Sequence, residues 1–233
     1  MLTSNAEKKD CYKMLSYIKN KALFIPIIWV VPLYLGLTLS NPSSWYDVYL
    51  QEDGVVEYLS VFFLALAAIM ALKTVFKAKT TLQKTSLTLA FIAFVVCAGE
   101  EISWGQRLLD LPTPTWLSAH NMQNEITFHN LAIADGVSFN KFFARIIGPL
   151  ILLYFLLMPL LYRKHKVIRD ICNKTALPVP YLPYGIFMFT YLIFIFGINL
   201  FTTQQVARIG ELSELTYYFF MMLLILKPHN TPE

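Results

Sequence analysis

Six apolar stretches, each near the length that crosses a bilayer, constrain this chain more than any other feature of its sequence. A spanning helix needs about 20 mostly apolar residues. Runs of that kind fall at 22–39, 55–72, 86–102, 146–162, 183–201 and 211–226. Soluble domains carry about 25% charged residues, whereas this chain of 233 residues carries 15%, with 56% hydrophobic residues and a mean hydropathy of +0.52. The expected fold is all-α, a polytopic membrane helix bundle of about six transmembrane helices. Pro26 and Pro32 should bend the first span. The third and sixth are shorter or more polar than the rest, and each carries glutamate at one end. Residues 1–233 are expected to form a single membrane-embedded domain without internal repeats or low-complexity segments. A polar N-terminal segment precedes the first long apolar run and no small-residue cleavage pattern follows, so that run is expected to stay as an anchor.

Basic residues orient the bundle. Lys8, Lys9, Lys13, Lys19 and Lys21 precede the first span, and Lys73, Lys77, Lys79 and Lys84 lie between the second and third. Arg163, Lys164, Lys166, Arg169 and Lys174 lie between the fourth and fifth, and Lys227 follows the sixth. Fifteen of the 19 basic residues thus fall in alternate connections, which the positive-inside rule makes cytoplasmic. The other connections and the span ends beside them hold 11 of the 15 acids. Both termini, including residues 1–21, are therefore expected in the cytoplasm of a bacterial inner membrane. The net charge of +4 follows from this topology and calls for no nucleic-acid partner. The cysteines Cys11, Cys97 and Cys172 form no CxxC pair, and by this topology none lies on the outer side of the membrane, so neither disulfides nor cysteine zinc sites are expected.

The one substantial extracytoplasmic segment is 107–145. Asp110-Leu-Pro-Thr-Pro and Asp135-Gly136 read as turns, and Thr115 can start a short helix reaching His129. Trp116, Leu117, Ile126, Phe128, Leu131 and Phe139 would seat the segment on the membrane surface as one or two interfacial helices.

Depth gathers the acids. Glu57 lies 16 residues before Lys73, Glu100 lies 16 after Lys84, and Glu211 lies 16 before Lys227. At about 1.5 Å per helical residue each is roughly 24 Å from the cytoplasmic edge, just inside the outer boundary of a core about 30 Å thick. In Gly99-Glu100-Glu101-Ile102-Ser103-Trp104-Gly105-Gln106-Arg107, a continuing helix puts Glu100, Trp104 and Arg107 on one face and Glu101 about 100° away. Neighbouring carboxylates in a poorly solvated site titrate apart, as acid–base chemistry requires. The plainer reading is a membrane-end cap with Glu–Arg pairing and an interfacial tryptophan. In residues 120–130, Glu125 and His129 stand at i, i+4. His120, His129 and Glu125 are candidate ligands for a zinc ion, although the spacing matches no standard signature and a hydrogen-bonded surface helix explains it equally well. Arg208 and Glu211 can share a face with Gln204 between the fifth and sixth spans, or form a plain salt bridge. Glu52, Asp53 and Glu57 suit the N-terminus of the second span, where the helix dipole favours anions. One outward-facing pocket roofed by residues 120–129 would collect all of these.

Gly99-Glu100-Glu101 with Arg107 resembles the Glu-Glu-x-x-x-Arg motif of the CAAX-protease and bacteriocin-processing intramembrane peptidases, and Phe128-His129-Asn130 resembles that family's later histidine and asparagine motifs. The arginine stands two residues late, and the likeness covers about a fifth of the chain. It implies glutamates and histidines that activate a water within the membrane. A multi-span core with Glu and His at one face is also similar to the alkaline ceramidase type of lipid amidase, without that family's motif spacing. Glu-Glu-Ile-Ser-Trp-Gly-Gln-Arg is similar to a segment of uncharacterised bacterial multi-pass proteins, which implies a setting and no activity.

Three functions fit. A membrane hydrolase or transferase would act at the outer face on a lipid, lipid-linked or peptide substrate. Glu100 or Glu101 would be the general base, with a metal held by the histidines as an option and Arg107 and Arg208 opposite developing negative charge. A non-catalytic sensor, assembly or defence protein would use the same surface to bind a partner. A transporter fits less well, because transport sites sit near the midplane on broken, repeated helices. No P-loop, G-x-G-x-x-G or G-x-S-x-G motif points to nucleotide or serine chemistry.

Overall fold

Helix α1 (Val55–Lys77) shows how a segment long and apolar enough to cross a membrane is built. Val56, Ser60, Phe63, Leu64, Ala67, Ala68 and Ala71 form its buried stripe, spaced at the three- and four-residue intervals of one helix face. The small members let neighbouring backbones approach closely. Its opposite face is also apolar, with Phe62, Ile69 and Phe76 exposed, as expected where lipid is the solvent. The computed structural model describes residues 54–134, 137–201 and 209–226. The apolar run at 22–39, residues 1–21, Glu52, Asp53, Asp135-Gly136 and Arg208 lie outside these. The described residues belong to one compact unit, Glu52–Glu233.

Helix α2 (Thr81–Glu101) starts from a capping box. The Gln83 amide donates to Thr80 Oγ1 at 3.2 Å, and Thr80 N donates back to Gln83 Oε1 at 3.4 Å. Ala78–Thr80 is too short for anything but an antiparallel return, and α2 packs along α1. After α2 come a four-residue helix α3 (Thr115–Ser118) and a strand pair, β1 (Ala132–Ala134) antiparallel to β2 (Val137–Ser138). The chain then continues through α4 (Phe139–Lys164), α5 (Lys166–Thr175), α6 (Leu182–Phe201) and α7 (Ile209–Leu226). Helix α7 packs on α1 and α6, and α6 packs on α4. Among the described residues, three helical segments are long and apolar enough to cross a membrane: Val55–Lys77, Thr81–Glu101 and Arg145–Lys164. The fold is helical apart from the small strand pair, and it is consistent with an integral membrane protein.

Phe220, fully buried, is the hub of the core. Its ring meets Phe155 of α4 at 6.2 Å, Tyr184 and Phe187 of α6 at 5.9 and 6.0 Å, and Phe219 at 5.5 Å. Phe219 in turn reaches Phe63 of α1 at 5.2 Å, so one aromatic chain ties four helices together. Between α4 and α6, Pro159 has no N–H to donate to the Phe155 carbonyl one turn back. Gly185 lies against that carbonyl; a Cβ there would be 2.6 Å from the oxygen.

The extracytoplasmic expectation needs correction. No helix runs from Thr115 to His129, since α3 ends at Ser118. Asn121 is the cause: its Oδ1 accepts from the amides of Gln123 at 2.9 Å and Glu125 at 3.2 Å, and its Nδ2 donates to the Thr127 carbonyl at 2.9 Å. Such side-chain bonds compete directly with helical ones. Asn124 adopts φ 57°, and Met122 N donates to the Asn130 carbonyl at 2.9 Å, closing the loop.

Candidate functional site

Helix α2 stops at Glu101, and the chain turns left-handed through Ser103 (φ 48°), Trp104 (φ 53°) and Gly105 (φ 78°). That conformation costs about 1–2 kcal/mol for each residue bearing a Cβ, so something must hold it. Ser103 Oγ donates to Glu125 Oε2 at 3.1 Å, and Trp104 Nε1 donates to Glu100 Oε1 at 2.7 Å. Gln106 accepts from Ile126 N at 2.5 Å and donates to Thr113 Oγ1 at 2.7 Å. The Trp104 ring folds back over Gly99, where a Cβ would lie 2.8 Å from Cε3. Glu100, Trp104 and Arg107 therefore do not share a helical face: Trp104 reaches Glu100 by reversing direction, and Arg107 turns elsewhere.

Glu100 anchors the loop. Its Oε2 accepts from Phe128 N at 2.7 Å, His129 N at 2.9 Å and His129 Nδ1 at 3.2 Å. Burial alone would lower the His129 pKa. The hydrogen bond to Glu100 and the charges of Glu101, Glu100 and Glu125 outweigh it and hold the imidazole above its ordinary value. Arg107 bridges Glu125, with which it makes a short ion pair, and Glu57 of α1 at 3.2 Å. Asn130 Nδ2 adds a bond to Glu125 Oε2 at 3.1 Å.

A second layer lies beneath. Tyr218 of α7 donates to Glu101 Oε1 at 2.9 Å, and Glu101 lies within Coulomb range of Glu211, His129 and Glu57. Glu214 interacts with Glu101, Glu211 and Glu57. Carboxylates from α1, α2 and α7 thus lie within electrostatic range of one another at one end of the bundle. Among the described residues Glu101 receives one hydrogen bond against four at Glu100. A cleft of about 210 Å³ is lined by Trp104, Trp116, Leu117, Ile126 and Phe128, two of which, Trp104 and Phe128, bond Glu100.

The structure brings Glu57, Glu100, Glu101, Arg107, Glu125, His129 and Glu211 into this region. Arg208 is outside the described residues. His120 is exposed, its Nδ1 directed at the Trp116 carbonyl at 2.8 Å. The expected i, i+4 meeting of Glu125 and His129 on a helix does not occur, because the loop sends Glu125 to Arg107 and His129 to Glu100. Among the described residues no three His, Cys, Asp or Glu side chains are grouped to hold a metal ion; Glu125 pairs with Arg107, and His129 Nδ1 lies 3.2 Å from Glu100 Oε2. Glu214 and Tyr218 complete the acidic layer without having been singled out by sequence; their signal was the i+3 and i+7 spacing from Glu211. No protein-family model, curated protein or solved structure matches the chain.

Proposed function

We propose that this chain is a membrane-embedded hydrolase or transferase of about six spans, with both termini in the cytoplasm of a bacterial inner membrane. Its substrate is a lipid, lipid-linked or peptide group at the outer face. The observation that carries this reading is that Glu57, Glu101, Glu211 and Glu214, from three packed helices, lie within electrostatic range of one another, with His129 in range of Glu101. Ionisable side chains are costly at such positions and ordinarily mark function. Glu101 is the general base, because it retains acceptor capacity that Glu100 has committed to the loop. It takes a proton from the attacking water or hydroxyl. His129, held by Glu100 and within electrostatic range of Glu101, returns a proton to the leaving group. Arg107 and Glu100 position the site. The apolar cleft beside Trp104 is smaller than the usual few hundred Å³ of a drug-sized pocket, and it suits a single hydrocarbon chain.

The test is turnover by the purified protein in proteoliposomes, read on fluorescent phospholipid, ceramide and membrane-peptide substrates. Glu101→Gln should lower turnover about 100-fold or more while the melting temperature stays near wild type. Wild-type turnover unchanged by Glu101→Gln overturns the assignment of the base. No turnover on any of the three substrate classes overturns the enzyme and favours a partner-binding sensor or assembly protein. The bonds that tie residues 120–131 to Glu100, Ser103 and Arg107 would then serve to display a binding surface.

A further inference from the structure

Helix α5 begins two residues after α4 leaves the spanning segment Arg145–Lys164. Its residues divide into an apolar half of Val167, Ile168, Ile171 and Cys172 and a polar half of Lys166, Arg169, Asp170, Asn173 and Lys174. The protein covers only one edge of the apolar half. Cys172 is fully buried, whereas Val167 and Ile171, one turn apart, are 69% and 47% exposed. Gln83 Nε2 donates to the Asn173 carbonyl at 3.1 Å, and Tyr162 OH donates to Asn173 Oδ1 at 3.1 Å. These bonds hold α5 beside the α1–α2 connection with its outer edge turned away from the bundle.

The surroundings are one-signed. Arg163, Lys164, Lys166, Arg169 and Lys174 on one side, and Lys73, Lys77, Lys79 and Lys84 on the other, are all exposed. None enters an ion pair among the described residues. Asp170 is the one acid of the 163–175 segment, and no acid lies anywhere between Tyr58 and Gly99. An uncovered apolar edge flanked by unpaired cations, at the point where a spanning helix ends, matches the chemistry of an anionic bilayer surface. A soluble partner would not account for the position at the membrane boundary.

We infer that α5 is an anionic-lipid anchor: Val167 and Ile171 insert at the interface while the surrounding lysines and arginines hold phospholipid headgroups. The anchor is independent of the acidic site at the other end of the bundle. The test uses the full chain in nanodiscs of phosphatidylcholine, with and without added phosphatidylglycerol. A fluorophore is placed at Val167→Cys after Cys11→Ser and Cys97→Ser, the buried Cys172 being kept. Quenching by brominated acyl chains should rise about twofold or more in the anionic discs. The triple variant Lys166→Gln/Arg169→Gln/Lys174→Gln should abolish that rise while melting as the parent does in phosphatidylcholine. Equal quenching in the two lipids, at any level, overturns the inference, as does a lipid-dependent rise that survives in the triple variant.

Discussion

Arg107 sits between Glu57 and Glu125, and its side chain is 24% exposed. Removing it leaves two largely buried carboxylates without their shared cation, which is worse than never having buried the pair. Arg107→Leu is expected to destabilise the protein by about 2–4 kcal/mol. Arg107→Lys should cost less, because it keeps the charge and loses only the two-pronged geometry; thermal melts of both variants in detergent check the order. His129 gives a pH signature. Its folded pKa is raised, so the stability from the His129–Glu100 pair is fully present below the ordinary imidazole value and is lost as pH rises through the folded value. Wild type should therefore lose melting temperature from pH 6 to about pH 9 more than His129→Asn does. Parallel curves would show that the pair contributes nothing.

At the scale of elements, the break after α2 is set by close approach as much as by hydrogen bonds. Gly99→Ala should displace the Trp104 ring and cost about 1–3 kcal/mol. In a Trp104→Ala background the same change should be nearly neutral, a coupling that a double-mutant cycle reads directly. The contact at Gly185 differs because its neighbour is backbone, the Phe155 carbonyl, and cannot swing aside. The helices themselves were legible: α1, α2, α6 and α7 begin and end within about five residues of the apolar runs, because a long apolar run is the strongest signal such a chain carries. The turn at 103–105 was not. Gly105 alone gives no sign that Ser103 and Trp104 before it turn left-handed as well, and two of the groups that hold the turn, Glu125 and Ile126, lie about 20 residues further on. The helix expected from Thr115 to His129 gives way to a loop after Ser118 for a similar reason. The i, i+4 placement of Glu125 and His129 is a real pattern, but the Asn121 side chain closes a competing turn first.

For the whole molecule, charge and hydropathy predicted which groups would gather, and tertiary packing decided which partner each would take. Equal spacing from the basic boundary residues placed Glu57, Glu100 and Glu211 near one level, and the structure does bring α1, α2 and α7 together there. It could not foretell that Glu100 would anchor a loop while Glu101 faced α7, since the two differ only in which side of α2 they leave. The proposed function requires α1 and α2 to cross a bilayer with this acidic layer outward and the α5 cations inward. The most direct measurement is labelling of single-cysteine variants by a membrane-impermeant maleimide in intact bacterial spheroplasts, using Leu109→Cys and Lys79→Cys, both at exposed positions. Leu109→Cys should label from outside, and Lys79→Cys only after permeabilisation. Labelling of Lys79→Cys in intact spheroplasts, or of both positions alike, would contradict it.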